Sequence, residues 1–482
     1  MTATILTTKK RELCRLHLKK VKADVNLSAL SKVFALLKFP TILGSNSAKK
    51  HSGRFSFWTA EPKEIFEFTT GQCNPFKKLK TILNKYKLGN TPEEQLPDGL
   101  FVGGWAGFLS YELGRFIEKL PEKAIDDLRL PLIRLCFYDK VLAYDHLENI
   151  FWLIALQLPD ESENPEERIA RMESLLHKSE GLNAAEYVGG DIERIDFSDI
   201  RCNMTKDYYL KSVKKIRRLI YDGDVYQVNF SQRFDCDYKA EPVELFNWQN
   251  QFNPCGYAAY IDAGSFSIVS ASPEMFLTIK DGFISTKPIK GTRPRVSDGQ
   301  GSKNVNEQNY NELINSQKEQ AELNMIIDLE RNDLAKICIP GSRGVIQSRT
   351  IEEYPTVFHA VATIQGRVRP GTDFCDILRA TFPGGSITGA PKVAAMEIID
   401  RCEPTQRAVY TGSIGFLGLD GSVCLNIAIR TIIIKDGKAY VQSGGGIVAD
   451  SEPQAEWNET LVKARALISG IKVCCKELKN QK

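Results

Sequence analysis

The chain has 482 residues, which is enough for a large core and for two to three domains. Its apolar fraction of 43% and charged fraction of 26% are typical of a globular protein. Because the net charge is only +3, a nucleic-acid partner is not expected. Because no apolar run approaches the ~18 residues of a membrane span, a membrane-spanning helix is not expected either.

The N-terminal region is predicted to cover residues 1–190 and to mix strands with helices. Its basic start is compatible with a transit peptide, but Glu12 and the strand-like run after it favour a structural N-terminus. Apolar runs predict strands at 54–59, 132–144 and 150–158. An acidic helix over 165–177 and a loop-like stretch to residue 199 place the boundary before a second region, 200–475.

The second region opens with a helix over 204–221 and a strand over 225–238. Apolar residues recur at helical spacing in the first segment and alternate in the second. Gln227, Asn229 and Ser231 share one face of the strand. That face is equally compatible with solvent or with the wall of a site.

A hairpin then leads to Lys290, which lies beside Gly291. Segments 275–279 and 283–290 flank an Asp-Gly pair, a strong turn signal. A three-residue loop would put Lys290 on the same face as Glu274, and a two-residue loop would put them on opposite faces. A buried, neutral lysine is a strong nucleophile, whereas a lone lysine at a strand end is usually solvated. The polar stretch 295–309 is predicted to be a loop that could serve as a flap.

Two helices, over 307–329 and 454–467, each carry glutamates three residues apart. The pairs are Glu319 with Glu322 and Glu456 with Glu459, and Lys463 lies one turn further on. This spacing places each pair on one helix face. A solvated face explains most such pairs; the alternative is a set of oxygen ligands for a hard cation, magnesium rather than zinc.

Two glycine-rich segments, 384–392 and 443–447, provide backbone for close contact with an anion. Neither has the phosphate-loop order of residues. Arg430 follows an apolar strand at 423–429 and could bind a carboxylate, while Tyr410 opens a predicted strand toward Phe416. Alone, each is better explained as a packed or paired strand residue.

Taken together, these residues resemble the chorismate-utilising enzymes, a family that includes anthranilate synthase component I, isochorismate synthases and aminodeoxychorismate synthase component I. The resemblance covers residues 200–470 and is weaker before them, where 104–115 carries it. The matching segments are 223–233, Ser272-Pro273-Glu274, 288–292, 328–334, 384–392, 410–415, 426–430 and 444–464.

Two positions within this family select the reaction. Isochorismate and salicylate synthases carry a water-activating lysine where this chain has Gln227. Anthranilate synthases carry alanine at the position of Lys290, and aminodeoxychorismate synthases carry lysine. The resemblance therefore implies formation of aminodeoxychorismate from chorismate and ammonia, for para-aminobenzoate and folate synthesis. The alternatives are anthranilate synthase component I and a non-catalytic chorismate-binding subunit.

The resemblance also implies roles for individual residues. Lys290 would be the nucleophile at C2 of chorismate, and Glu274 the general acid and then the base for ammonia. His359 and Thr292 would lie near the leaving hydroxyl. Magnesium would be held by Glu322 and Glu459, with Glu319 and Glu456 around it. The substrate would contact Gln227, Gly291, Ser386, Tyr410, Arg430, Gly444, Gly445, Gly446 and Lys463.

The chain departs from the family pattern at Glu319, Gln320, Leu323 and Ala335. The tryptophan-feedback string is replaced by residues 41–46, so feedback by tryptophan is not expected. A glutaminase domain would need roughly 190 further residues, so ammonia is expected from a separate glutamine amidotransferase. Twelve cysteines without Cys-x-x-Cys spacing favour free thiols and a cytoplasmic location. The fold implied by the resemblance is α+β, a two-part antiparallel β-sandwich with outer helices.

Overall fold

The computed structural model describes residues 12–45, 53–89, 95–159, 163–182, 187, 189, 195, 197, 200–296, 302–354 and 357–480, with side chains to residue 476. The basic segment before Glu12 lies outside the described residues. The described part folds into two large sheets that face each other, with helices around them. This is the predicted α+β sandwich, and the prediction of its class is confirmed.

The first sheet has thirteen strands within the described residues. Its order is β10-β11-β23-β22-β13-β12-β2-β3-β8-β9-β1-β5, and β19 pairs with β11. Its pairs are antiparallel except β1 with β5. The strands are β1 (Glu12–Val21), β2 (Thr41–Leu43), β3 (Phe55–Thr59), β5 (Tyr86–Leu88), β8 (Lys140–Asp145), β9 (Ile150–Gln157), β10 (Arg201–Cys202), β11 (Gln227–Asp237), β12 (Tyr257–Asp262), β13 (Phe266–Ser272), β19 (Gly389–Ala390), β22 (Thr431–Lys435) and β23 (Lys438–Ile447).

The second sheet has ten described strands in the order β16-β18-β15-β14-β21-β20-β6-β7-β4, with β17 beside β18. All its pairs are antiparallel. The strands are β4 (Glu64–Phe68), β6 (Gly104–Leu109), β7 (Ile133–Tyr138), β14 (Met275–Lys280), β15 (Phe283–Lys287), β16 (Ile289–Pro294), β17 (Gly344–Glu353), β18 (Val357–Arg367), β20 (Ser413–Gly418) and β21 (Val423–Asn426).

Helices and two short 3-10 turns connect the strands. The helices are α1 (Leu27–Ala35), α2 (Pro75–Leu83), α3 (Pro165–Ser179), α4 (Lys206–Tyr221), α5 (Pro242–Phe252), α6 (Ser302–Asn315), α7 (Gln317–Ala335), α8 (Phe374–Thr381), α9 (Lys392–Cys402) and α10 (Pro453–Asn480). The 3-10 turns are Tyr111–Phe116 and Gly385–Ile387. None of the described helices is long and apolar enough to span a bilayer.

The main core lies between the two sheets. There the Phe108 ring of the second sheet meets the Phe266 ring of the first edge to face, with centroids 6.0 Å apart. A second core lies between the outer face of the first sheet and helices α1, α3, α5 and α10, where Trp58 and Trp248 are fully buried. Burying both faces of one sheet explains its long uninterrupted apolar runs.

Strands from both predicted regions occur in both sheets. For example, β2 pairs with β12, and β6 pairs with β20. The division of the chain near residues 190–200 stays a prediction.

The predicted strand over 132–144 is wrong as a single element. It is two strands, β7 and β8, that belong to different sheets. The chain changes sheets at Asp139, whose buried carboxylate faces the Arg168 guanidinium at 3.2 Å. A buried carboxylate needs such a partner, which holds the crossover in place.

The predicted helix over 307–329 is also divided, into α6 and α7. Ser316 has extended backbone angles, and its hydroxyl accepts a hydrogen bond from the Glu319 N–H at 3.4 Å as an N-cap. Because α6 begins at Ser302, the loop predicted over 295–309 is wrong in its second half. Residues 297–301 of that predicted flap lie outside the described residues.

Candidate active site

Lys290 and Glu274 lie close together, although the hairpin between them has the shorter turn. Asp281 and Gly282 form a two-residue turn with positive φ at both positions, so Lys280 pairs with Phe283. A β-bulge between Met275 and Thr278 then shifts the register by one residue. The shift compensates for the short turn, and the Ile289 N–H donates to Glu274 Oε1 at 3.3 Å.

The Lys290 ammonium is half-buried, and its Nζ donates to the carbonyl oxygen of Ser386 at 3.0 Å. Burial lowers the pKa of Lys290 below its ordinary value, although the carboxylates of Glu274 and Glu322 oppose the shift. A lowered pKa increases the share of neutral amine, which is the nucleophilic form. Next to it, Gly291 has φ +95°, and a Cβ there would lie 2.8 Å from Glu319 Oε2, so only glycine fits.

Glu274 is buried, with 4% of its surface exposed. Burial raises the pKa of its carboxyl above the ordinary value, while the Ser386 hydroxyl and the Lys290 ammonium oppose that change. A carboxyl with a raised pKa keeps its proton longer and is suited to general acid catalysis.

Thr292 and His359 face each other across the β16–β18 pair. The Thr292 hydroxyl and His359 Nδ1 are 2.9 Å apart and share a hydrogen bond. Burial, and secondarily the Arg430 guanidinium, lowers the pKa of His359 to about 3, so its ring is neutral near pH 7. Its Nε2 is buried without a partner among the described residues, which leaves one ring nitrogen for a ligand.

The glycines of β23 let neighbouring side chains approach the strand closely. A Cβ on Gly446 would overlap the Gln227 amide, 1.9 Å from Nε2. A Cβ on Gly445 would lie 3.4 Å from Glu456 Oε2 and 3.5 Å from Glu459 Oε1. The predicted glycine loop 443–447 is thus largely strand, within the ladder that pairs β11 with β23.

The polar residues predicted to share one face of β11 differ in their hydrogen-bond partners. Gln227 Oε1 is buried without a described partner. Ser231, by contrast, donates its N–H and hydroxyl to Glu403 Oε1 at 2.9 and 2.7 Å. Glu403 also pairs with the buried Arg407 guanidinium at 2.7 Å. Ser231 therefore supports the fold beneath the site.

The four predicted glutamates lie on α7 and α10, near one another. Burial raises the pKa of Glu322, and the carboxylates of Glu319 and Glu459 add to the shift. Glu319 Oε1 accepts from the Arg293 guanidinium at 2.7 Å, and its Oε2 is buried without a described partner. Glu459 pairs with the half-exposed Lys463 at 2.6 Å, and Lys463 Nζ also donates to the Gly444 carbonyl at 3.1 Å.

Oxygen donors that repel one another suit a hard divalent cation. In the part of the chain that the structure describes, no three aspartate, glutamate, histidine or cysteine side chains already converge on one metal position. The chemistry of the donor set fits magnesium, and the metal stays a prediction.

Arg430 and Tyr410 lie in turns rather than in the predicted strands. Arg430 has φ +50° between β21 and β22, and its carbonyl accepts from Ala271 N–H at 3.0 Å. Its guanidinium lies beside the Cys255 thiol and forms no ion pair with a described carboxylate. Tyr410 is buried and lies three residues before β20, with its ring 5.9 Å from the Arg407 guanidinium carbon.

Lys392 fixes the position of the loop 384–392 through its side-chain contacts. Its ammonium pairs with Asp333 of α7 at 2.5 Å and donates to the carbonyls of Thr381 and Pro383 at 2.9 and 2.8 Å. These bonds fix the loop that carries Ser386. Lys392 therefore anchors the loop in place.

Sequence reasoning missed Glu330, a buried carboxyl on α7 behind this site. Only 7% of it is exposed, and its Oε2 accepts from the Thr286 hydroxyl at 2.9 Å. Burial raises the pKa of Glu330 to about 8, with Glu274 and Asp333 adding to the shift and Lys392 opposing it. Its position four residues after Ile326 and four before Leu334 was the available signal, because it places Glu330 on the apolar face of the helix.

Glu330→Gln should stabilise the chain more at alkaline pH than at acid pH. The folded pKa is raised, so between 4.5 and about 8 the folded state keeps a proton that the unfolded state loses. Its stabilising contribution is full below pH 4.5 and declines as pH rises to about 8. Glutamine does not titrate, so we expect its gain in melting temperature to be about 2 °C or more larger at about pH 8.5 than at about pH 5.5. Asp328→Asn, an exposed acid on the same helix, is the control; equal gains at both pH values would contradict the prediction.

Comparisons with known proteins show which family the chain is similar to. The model of a protein family described as chorismate binding enzyme matches residues 41–469. Aminodeoxychorismate synthase component 1 of Bacillus subtilis is 36% identical over 432 residues, covering 89% of this chain and 86% of that protein. Anthranilate synthase component 1 of Aquifex aeolicus is 34% identical over 474 residues, covering 94% and 93%. The crystal structure of anthranilate synthase component I from Streptococcus pneumoniae superposes with a TM-score of 0.71 at 27% identity, covering 87% of this chain and 93% of that one.

Proposed function

The chain belongs to the chorismate-binding enzyme family, and we propose that it is the first component of an aminodeoxychorismate synthase. The observation that carries the proposal is Lys290, an amine with a lowered pKa placed beside the buried acid Glu274. The family resemblance separates aminodeoxychorismate synthases, with lysine here, from anthranilate synthases, with alanine.

The first step is attack of the neutral Lys290 amine on C2 of chorismate. A C2–N bond forms, the two conjugated ring double bonds shift, and the C4–O bond breaks. Glu274 gives its proton to the departing hydroxyl, which leaves as water, and Glu274 becomes a carboxylate. Covalent catalysis of this kind divides one difficult displacement into two easier ones.

The second step restores both residues. Ammonia attacks C4, the two double bonds shift back, and the C2–N bond to Lys290 breaks with its electrons returning to the amine. The Glu274 carboxylate takes a proton from the new ammonium group. The product is 4-amino-4-deoxychorismate, and the enzyme has its starting protonation states.

The residues around the pair support this sequence of events. The neutral His359 ring, held by Thr292, can contact the leaving hydroxyl through Nε2. Arg430, with Tyr410 and the backbone of Gly444, Gly445 and Gly446, would hold the enolpyruvyl carboxylate. Gly291, Ser386 and the Gln227 amide would border the ring.

Magnesium would be held by Glu322 and Glu459, with Glu319 and Glu456 around it and Lys463 beside them. When bound, the ion supplies positive charge for the ring carboxylate of the substrate. Two observations support this assignment: Glu319 Oε2 has no hydrogen-bond partner among the described residues, and the pKa of Glu322 is raised. A bound cation would give the Glu319 oxygen a partner and would stabilise the ionised form of Glu322.

We also propose a glutamine amidotransferase as partner. The relatives named aminodeoxychorismate synthase component 1 and anthranilate synthase component 1 imply second components of their own. In this chain the ammonia for C4 would come from such a subunit, in the cytoplasm, for para-aminobenzoate and folate synthesis.

A second candidate is anthranilate synthase component I. It is favoured by relatives of that name with identities of 34 to 37%, close to the values for aminodeoxychorismate synthases. It would make Lys290 incidental and would release pyruvate. A non-catalytic chorismate-binding subunit is disfavoured, because Lys290, Glu274 and the four glutamates are all present.

Product identification tests the proposal. The pure chain is incubated with chorismate, ammonium and magnesium, without glutamine, and the products are identified by mass spectrometry. We expect aminodeoxychorismate without pyruvate, and no turnover in a parallel reaction with excess EDTA. Anthranilate with pyruvate would overturn the proposal in favour of the second candidate, and turnover unaffected by EDTA would overturn the role of magnesium.

A further inference from the structure

A cavity of about 100 Å³ lies beside the Lys290–Glu274 pair. Its lining includes Pro273, Ile289, Lys287, Glu352 and Tyr354. It shares a wall with the site, because Pro273 precedes Glu274 and the Ile289 N–H donates to the Glu274 carboxylate at 3.3 Å.

The size of the cavity restricts its ligand. Water occupies about 30 Å³ in the liquid, so the cavity has room for only a few molecules of that size. Pockets for larger ligands usually measure about 300 Å³ or more. Chorismate is therefore too large for it, and a small polar molecule fits.

The polar wall of the cavity is an ion pair between the half-buried Lys287 and the buried Glu352. The Lys287 ammonium pairs with Glu352 Oε1, and the Tyr354 hydroxyl donates to Glu352 Oε2 at 3.2 Å. Glu352 is only 8% exposed. A carboxylate has several lone pairs, so it can accept an N–H bond from a small ligand in addition to these donors.

The same wall favours an uncharged ligand. The Lys287 cation lies next to the carboxylate and opposes a second positive charge at short range. The other walls include the apolar side chains of Ile289, Val361 and Pro273, which do not solvate a cation. Ammonia is small, is neutral, and donates N–H bonds.

The position of the cavity matches where ammonia is needed. In the proposed reaction Glu274 takes a proton from the nitrogen that has attacked C4. The ring of Tyr354 also contacts that of His359, with centroids 5.3 Å apart at 69°. The cavity thus adjoins Glu274 and His359, two of the assigned catalytic residues.

We propose that this cavity is a binding site for ammonia, with Glu352 as its hydrogen-bond acceptor. The inference rests on the proposed function for the use of ammonia. It does not depend on which aminated product is released.

The test is the KM for ammonium of Glu352→Gln, measured with ammonium chloride at saturating chorismate and constant pH. We expect this KM to rise about tenfold, the loss of one charge-assisted hydrogen bond, and the KM for chorismate to change less than about twofold. Glu353→Gln is the matched control, since Glu353 is the next residue of β17 and is exposed. It should leave both KM values unchanged.

A double variant distinguishes loss of the ammonia site from misfolding caused by an unpaired charge. Glu352→Gln leaves the half-buried Lys287 without its carboxylate partner, so Lys287→Met combined with Glu352→Gln removes both charges together. The double variant should show the same rise in the KM for ammonium. An unchanged KM for ammonium in a folded variant, or an equal rise for chorismate, would overturn the ammonia site.

Failure of the ammonia site can be distinguished from failure of the proposed function. If the wild-type product is anthranilate, the proposed function fails, yet the ammonium KM still reports on the cavity because that reaction also consumes ammonia. A wild-type chain that does not aminate chorismate with ammonium at all overturns both proposals.

Discussion

Lys290→Ala should abolish formation of aminodeoxychorismate, with a loss in kcat on the order of 10² or more, because the covalent step has no other nucleophile. The change removes the Lys290 amine, which lies beside Glu274 at the β16 end of the hairpin. Product would be measured by mass spectrometry with chorismate, ammonium and magnesium. Some anthranilate is expected to leak from the variant, since alanine is the residue of the anthranilate branch.

Two further variants make the result specific. Lys290→Met keeps most of the side-chain volume and should be as inactive as the alanine variant. Lys280→Met, in the same hairpin but half-exposed and paired with Asp98, should retain wild-type activity. Acid-quenched wild-type chain should carry the mass of a substrate adduct that both Lys290 variants lack. Unchanged activity of either Lys290 variant would refute the nucleophile assignment.

The parts of the site that depend on local spacing could be predicted from the sequence. Glutamates three residues apart on α7 and α10 had to share a helix face, and they do. The alternation in β11 likewise placed Gln227 and Ser231 on one face. Spacing could not show that Ser231 is hydrogen-bonded to Glu403, which is 172 residues away in the chain.

The register that joins Lys290 to Glu274 could not be predicted, because turn length and bulge act in opposite directions. The Asp281-Gly282 turn alone would have separated the two residues across the sheet. The bulge between Met275 and Thr278 returns them to one side, and after Pro288 the chain continues as β16, which pairs with β18. A bulge of this kind changes pairing without a dedicated residue type in the sequence.

Buried acidic residues were the other source of error. Asp139 lies at the crossover from β7 to β8 and marks the end of the first strand. That role could not be predicted without knowing its ion-pair partner, Arg168. Glu330 was overlooked because its hydroxyl partner, Thr286, is 44 residues away on another strand. Both cases follow from one rule: the interior accepts an acid only with a donor, and that donor is often distant in sequence.

Glu274→Gln is the second variant for which we expect a large effect. Glutamine is nearly isosteric and can still accept the Ile289 N–H through Oε1, so the local fold should persist. It cannot give a proton to the C4 hydroxyl or take one from ammonia. We therefore expect kcat to fall by about 10² to 10⁴, the usual contribution of a general acid–base residue, with little change in chorismate affinity.

The adduct on Lys290 shows which of the two roles of Glu274 matters. If Glu274 must protonate the leaving hydroxyl, the glutamine variant stops before the first displacement, and quenched protein carries no adduct. If Glu274 acts only as the base for ammonia, the first displacement proceeds and the adduct accumulates. Intact-protein mass spectrometry separates these results, and calorimetric titration with chorismate checks that the site still binds. Wild-type turnover by the variant would exclude both roles and leave the raised pKa of Glu274 as a consequence of burial alone.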